Sequence, residues 1–82
     1  MASLYQERDT DQGLFAIQGL ASAYSAERDC TVYIIRAKWN VANGRPVVRA
    51  VKEEQIPGDT LWGDVLLKYV NGRLVWARRN IH

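Results

Sequence analysis

The sequence predicts an α+β fold in which one N-terminal helix packs on a four-stranded antiparallel sheet, in the chain order α-β-β-β-β. Two observations predict it. Apolar residues recur at helical spacing over about residues 12–27, whereas from Thr31 onward the pattern changes to a period of two. In addition, Asn43-Gly44 and Asn71-Gly72 each separate two β-rich runs, and Asn-Gly readily takes the positive φ angles of a tight hairpin turn.

Length and composition indicate one small globular domain over residues 1–82. Apolar residues make up 48% and charged residues 24%, which is ordinary for a globular domain and too apolar for a disordered chain. No apolar run approaches the roughly 20 residues that span a bilayer. The first residues, MASLYQERDTD, are polar and acidic, unlike a signal or transit peptide. We therefore expect a cytoplasmic protein with no membrane partner.

The N-terminal part of the chain is expected to hold a polar arm followed by the helix. Residues 1–10 are predicted to be loosely ordered. The helix presents one apolar stripe, whose members recur at intervals of three and four residues: Leu14, Ile17, Ala21 and Tyr24. Either Thr10 or Asp11 can cap its start, because a side-chain oxygen there accepts a hydrogen bond from an amide of the first turn.

The first hairpin is predicted from residues 31–39 and 45–52, which are rich in β-branched and aromatic side chains. A two-residue loop places these pairs opposite each other: Ala42 with Arg45, Trp39 with Val48, Ala37 with Ala50, and Arg36 with Val51. The face expected in the core then carries Tyr33, Ile35, Ala37, Trp39, Val41, Val48 and Ala50. The other face carries Arg36, Lys38, Asn40, Val47, Arg49 and Val51.

The second hairpin is predicted from residues 60–79, around Asn71-Gly72. A two-residue loop places these pairs opposite each other: Val70 with Arg73, Tyr69 with Leu74, Leu67 with Trp76, and Asp64 with Arg79. The core face then carries Leu61, Val65, Leu67, Tyr69, Leu74 and Trp76, and the other face carries Asp64, Lys68, Arg73 and Arg79. A lone helix covers only one face of the sheet, so the second face is left to solvent or to a partner.

The same stretch also has a helical interpretation. Its apolar residues fall at helical spacing as well: Leu61, Trp62, Val65, Leu66, Tyr69 and Val70. Asp59 could cap such a helix and Gly72 could end it. The glycine at position 63 and the β-branched and aromatic residues that follow favour the hairpin.

The reactive side chains form no catalytic or metal-binding pattern. Cys30 is the only cysteine and His82 the only histidine, so neither an internal disulfide nor a Cys-rich metal site is possible. Ser22, Ser25 and Cys30 have no base nearby in the sequence to activate them as nucleophiles. No phosphate-binding glycine loop and no zinc, calcium or magnesium ligand spacing occurs. We therefore expect a non-enzymatic protein with no cofactor and no bound metal.

The net charge of +2 is unevenly distributed, because the predicted strands are basic and the connections acidic. A basic face with exposed aromatic rings can bind nucleic acid, since cations neutralise phosphates and rings stack on bases. The candidate contacts are Arg36, Lys38, Arg49, Lys68, Arg73, Arg78 and Arg79. On the predicted register, however, Trp39, Tyr69 and Trp76 point into the core, away from most of these cations. Nucleic-acid binding is therefore the alternative hypothesis.

The leading hypothesis is protein–protein association. Trp62, Leu66 and Val70 lie on the mostly polar face of the second hairpin and form an apolar strip that the helix does not cover. Exposed apolar strips of this kind mark interfaces, and a small chain without disulfides or metals gains stability by oligomerising. We expect a small interaction module, either an accessory, an adaptor or an inhibitor protein, that associates with itself or with a larger protein.

Overall fold

The computed structural model describes the backbone of residues 4–42 and 45–78 and the side chains of residues 4–37 and 46–78. These residues form one helix and one five-stranded sheet, in the order β1 (Tyr5–Arg8), α1 (Asp11–Arg28), β2 (Thr31–Ala42), β3 (Arg45–Lys52), β4 (Val65–Val70) and β5 (Arg73–Ala77). The strand order across the sheet is β1-β3-β2-β4-β5, and every neighbouring pair is antiparallel. The predicted α+β class is confirmed, with one strand more than expected.

The additional strand comes from the N-terminal segment that was expected to be a loose arm. β1 pairs with β3, and Tyr5 lies opposite Ala50. The ring of Tyr5 packs edge-to-face against Tyr24 of the helix, with centroids 6.4 Å apart, a geometry worth about 0.5–1.5 kcal/mol beyond the buried area. This strand has only four residues, YQER. It is too short and too polar to show a recognisable alternation of apolar and polar residues in the sequence.

The helix α1 confirms its sequence prediction. Thr10 is the N-cap, and its Oγ1 accepts a hydrogen bond of 3.0 Å from the N–H of Gly13. A Cβ atom on Gly13 would lie 2.1 Å from the carbonyl oxygen of Arg8, so only glycine fits where the helix leaves β1. The helix ends at Arg28, because Asp29 takes the left-handed conformation with φ 51°.

The register of β2 against β3 differs from the prediction. Ala42 lies opposite Arg45 as expected, but Arg36 lies opposite Val48 rather than Val51, because the pairing is irregular between Ala37 and Ala42. The turn at residues 43–44 lies outside the described residues. A shift by an odd number of residues moves every side chain of a strand to the other face. The prediction of which β2 side chains face the core was therefore wrong.

The core between α1 and the sheet consists of buried apolar side chains from the helix and the three central strands: Leu14, Ile17, Ala21, Val32, Ile34, Val48, Ala50, Leu66, Leu67 and Tyr69. Tyr33, Ile35 and Ala37, which were expected here, instead lie on the face that is turned away from the helix.

Much of the face away from α1 is buried as well. Its buried members are Ile35, Ala37, Val47, Arg49 and Val51. β3 and β4 flank β2 and are both antiparallel to it, so the connection between them has to return along the sheet. The two 3-10 turns of this connection, Glu53–Gln55 and Trp62–Asp64, contact β2, and the first also contacts β3. These turns therefore pack against the β2–β3 part of the sheet.

The second hairpin forms as predicted next to its turn. Asn71 and Gly72 have φ angles of 51° and 82°, as a type I′ turn requires. Val70 lies opposite Arg73 and Tyr69 opposite Leu74, which confirms this part of the register. The helical interpretation was wrong, since only Trp62–Asp64 forms a single 3-10 turn before β4 begins.

Beyond the second pair, β5 contains a bulge. Val75 has no partner, so Trp76 lies opposite Lys68 rather than Leu67. Trp76 is therefore on the face away from α1, and its predicted place in the core was wrong. No helix among residues 4–42 and 45–78 has the length and apolar character needed to span a membrane.

Candidate functional site

Two serine hydroxyl groups of α1 form hydrogen bonds with the turn of the second hairpin. Ser25 Oγ accepts a hydrogen bond of 2.9 Å from the N–H of Gly72 and donates one of 2.6 Å to the carbonyl oxygen of Cys30. Ser22 Oγ donates a hydrogen bond of 2.8 Å to the carbonyl oxygen of Gly72. Both serines thus hold the turn in place, and this contact sets the position of β5 beside the helix.

β5 is an edge strand that the helix leaves largely uncovered. Within the described part of the chain it has β4 on one side and no strand on the other. Leu74 is 51% exposed and Val75 is 54% exposed. An edge strand presents backbone N–H and C=O groups that another strand can pair with.

The exposed apolar residues of the described chain are concentrated around this edge. Seven large apolar side chains are exposed among the described residues. All but Leu20 lie in β5, next to β5, or in the connection that precedes β4. We call these six residues the β5 edge surface: Phe15, Leu61, Trp62, Val70, Leu74 and Val75. A concentration of exposed apolar side chains along an open strand edge is typical of a protein interface.

On the helix side, the β5 edge surface borders an open groove between α1 and β5. The groove has a volume of about 430 Å³ and is lined by Asp11, Leu14, Phe15, Gln18, Leu67, Leu74, Ala77 and Arg78. Leu74 reaches this side because it lies opposite the core residue Tyr69. Phe15, at 69% exposure, is the most exposed large apolar side chain of the chain as described.

On the other face, Arg78 connects the end of β5 with the 3-10 turn Trp62–Asp64, which precedes β4. Its guanidinium lies 5.1 Å from the ring centroid of Trp62 and 5.5 Å from that of Trp76, and the two indole rings are 5.0 Å apart. Its Nε donates a hydrogen bond of 3.0 Å to the carbonyl oxygen of Val65, and its Nη2 donates one to that of Trp62. Arg78 thereby holds Trp62 next to the edge strand.

A second cation–aromatic pair lies on the same face. Lys68 Nζ is 5.6 Å from the ring centroid of Tyr33, which lies opposite it on β2, and Trp76 lies opposite it on β5. Aromatic rings and cations therefore share this face, contrary to the expectation that Trp76 faces the core. Tyr69 is buried in the core as expected, and Trp39 lies outside the described side chains.

The predicted apolar strip is only partly exposed. Trp62 is 67% exposed and Val70 is 37% exposed, whereas Leu66 is 1% exposed and belongs to the core. The reason is a bulge in β4: Val65 lies opposite Ile35 and Leu67 opposite Ile34, so Leu66 is the extra residue and packs inward. The assignment of Leu66 to the surface was therefore wrong.

The predicted basic contacts do not form one row. Arg36, opposite the core residue Val48, forms an ion pair of 2.6 Å with Asp9, and both side chains are largely buried. Arg49 projects from the opposite face of the sheet and is 6% exposed. The cations that do share an accessible face are Lys68, Arg73 and Arg78, while the side chains of Lys38 and Arg79 lie outside the described residues.

No group of three or more His, Cys, Asp or Glu side chains that could hold a metal ion occurs among the described residues. Comparisons with protein-family models, curated proteins and solved structures return no match for this chain. The candidate binding features of the described chain are therefore the β5 edge surface and the cation–aromatic face beside it.

Proposed function

We propose that this chain is a small, non-enzymatic interaction module that acts by protein–protein association, and that its partner binds along β5. The observation that carries the proposal is the concentration of six exposed apolar side chains around one edge strand. Exposed apolar residues scattered singly need no explanation, but a group along an open edge does.

An added strand would use this edge in two ways. Its backbone would pair with the open N–H and C=O groups of β5, which supplies affinity. Its side chains would cover Leu74 and Phe15 on the helix side and Trp62 on the other side. Tryptophan is a common anchor residue at interfaces, and Arg78 holds Trp62 in position before binding.

The partner is either a second copy of this chain or a larger protein for which this chain is an accessory, adaptor or inhibitor subunit. To test the proposal, the double variant Leu74→Gln/Val75→Thr removes apolar surface at the edge and keeps a β-branched residue in the strand. Leu20→Gln is the matched control, because Leu20 is 41% exposed on α1 and outside the β5 edge surface.

Two measurements apply to all three proteins: sedimentation across a concentration series, and quantitative recovery of a specific protein by the immobilised chain from an extract of its source. We expect one of the two associations in the unmodified chain, its loss in the double variant and its retention in the control. An association that the double variant keeps at full strength would contradict the assignment to β5.

Nucleic-acid binding is the second candidate, and one observation favours it. Trp62, Trp76 and Tyr33 lie on the same face as Lys68, Arg73 and Arg78, so aromatic rings and cations are available together. It ranks second because Arg78 already donates to two backbone carbonyl groups, which leaves fewer cations for phosphates.

A titration with fluorescent single- and double-stranded RNA and DNA at low and near-physiological salt tests this candidate. Binding that weakens steeply with salt and is reduced in Trp62→Ala would support it. The absence of binding at low salt, where electrostatic attraction is strongest, would reject it.

A further inference from the structure

We infer that the occupant of the β5 edge is an extended segment of a different protein that alternates apolar and acidic side chains. This inference rests on the proposed function and names the chemistry of the partner. It is carried by the charges at the two ends of β5, together with the apolar residues between them.

The charged residues of β4, β5 and the residue after β5 are all positive, and the acid Asp64 immediately precedes β4. Residues 65–78 contain Lys68, Arg73 and Arg78 and no acid. Arg73 begins β5 and Arg78 follows its last residue, so the two arginines lie roughly 15 Å apart along the strand. A strand that pairs with all of β5 therefore passes both of them.

Arg73 is the more accessible of the two. It is exposed, it shares a face with Lys68 because it lies opposite Val70, and among the described residues it has no ion pair. Arg78 is half-buried and lies beside two indole rings. It also borders the groove next to α1, which Asp11 borders as well. An acidic residue of an added strand opposite Arg73 would form a favourable cross-strand pair.

A second copy of the chain fits this edge less well. When β5 pairs with itself along its whole length about a two-fold axis, Arg73 of one copy comes close to Arg78 of the other, on the face that carries Lys68. The symmetry repeats this contact of like charges, and like charges at opposed positions destabilise a strand pair. An acidic segment replaces both repulsions with attractions.

A nucleic acid would also match the positive charge, but it would not use the features that distinguish this edge. Leu74 and Val75 are apolar, and the open backbone groups of a strand pair with another backbone. An extended peptide buries the apolar side chains and satisfies the backbone groups together.

The test uses two soluble, glycine-flanked peptides long enough to span β5, one alternating glutamate with valine and one alternating lysine with valine. Binding is followed by the backbone amide signals of the isotopically labelled full chain. We expect the acidic peptide to shift the amides of residues 73–77, to bind about tenfold more tightly than the basic one, and to weaken with salt.

Charge reversal supplies the matched variants. Arg73→Glu should remove most of the preference for the acidic peptide, because of the three cations only Lys68 and Arg78 then remain. Arg8→Glu, at an exposed position on the opposite edge strand β1, should leave the preference unchanged. Equal affinity for both peptides, or shifts located away from β5, would overturn the inference. So would an oligonucleotide that shifts the amides of β5 and competes with the acidic peptide.

The remaining outcomes separate this inference from the proposed function. Self-association that is lost in Leu74→Gln/Val75→Thr would overturn the acidic-segment inference and support the proposed function. If neither peptide shifts the amides of β5, the inference is wrong. If, in addition, the edge variants change no association, the proposed function is wrong as well.

Discussion

Ser25 Oγ accepts a hydrogen bond of 2.9 Å from the N–H of Gly72, which lies 47 residues further along the chain. The same oxygen donates to the carbonyl of Cys30, where the chain leaves the helix for β2. One buried hydroxyl thus joins the end of α1, the start of the sheet and the turn before β5. The position of the β5 edge surface relative to the helix depends on this junction.

Replacing Ser25 with alanine should destabilise the protein. It leaves the half-buried N–H of Gly72 without its partner, and the carbonyl of Cys30 keeps only the longer hydrogen bond of 3.4 Å from the N–H of Asn71. Such a loss costs about 1–3 kcal/mol. Chemical denaturation measures the change. Ser22→Ala is the matched comparison and should cost less, because Ser22 is half-buried and makes one of these hydrogen bonds. Equal stability of Ser25→Ala and the unmodified chain would show that the junction is not needed.

Gly72→Ala should destabilise the protein by at least about 1–2 kcal/mol, because φ at this residue is +82° and a side chain is strained there. In addition, its Cβ atom would lie 2.7 Å from the Cβ atom of Ala26. Gly63→Ala is the control, since no atom lies within 4 Å of its added Cβ. Thermal unfolding of both variants should therefore show a large decrease for the first and a small change for the second.

The ion pair between Arg36 and Asp9 should contribute to stability rather than to binding. Because both side chains are largely buried, we expect Arg36→Ala to lower the free energy of unfolding by about 1 kcal/mol. A double-mutant cycle with Asp9→Asn measures the coupling. Loss of oligonucleotide binding in Arg36→Ala, with stability unchanged, would contradict this role and return Arg36 to the nucleic-acid contacts.

Stability should decrease at alkaline pH because of Tyr69. Burial raises the pKa of its phenol above the ordinary value of 10.0. The unfolded chain therefore releases this proton at lower pH than the folded chain does. The stabilisation is present below the unfolded pKa and is lost as the pH rises toward the folded pKa.

Urea unfolding from about pH 8 to about pH 11 measures this effect. Tyr69→Phe keeps the ring in the core and removes the proton, so its stability should decline less over the same range. Parallel curves for the two proteins would mean that Tyr69 does not contribute to the alkaline loss of stability.

Features that depend on neighbouring residues were predicted correctly from the sequence. The helix over Asp11–Arg28 begins at Thr10, one of the two expected caps. Of the expected apolar stripe, Leu14, Ile17 and Ala21 are buried and Tyr24 is half-buried. The turn at Asn71-Gly72 and the two residue pairs next to it also form as predicted. These features are local, because capping, helical periodicity and positive φ angles are determined within a few residues.

The faces of the sheet were not predictable in the same way. The bulges at Leu66 and Val75, and the irregular pairing beyond Ala37, change which side chains oppose each other. Each bulge adds one residue to a strand, and one residue is enough to move a side chain to the other face. No turn motif marks these positions in the sequence.

The candidate site follows the same division. The sequence by itself predicted that Trp62 is exposed and that Lys68 and Arg73 share one face of the second hairpin. Only the tertiary structure decided that Leu66 is buried and that Trp76 shares a face with Lys68. It also decided that β1 and β5 are the two edge strands of the described sheet. The reason is that turns and caps are set by local backbone preferences, whereas register, bulges and edges are set by packing between segments far apart in the chain.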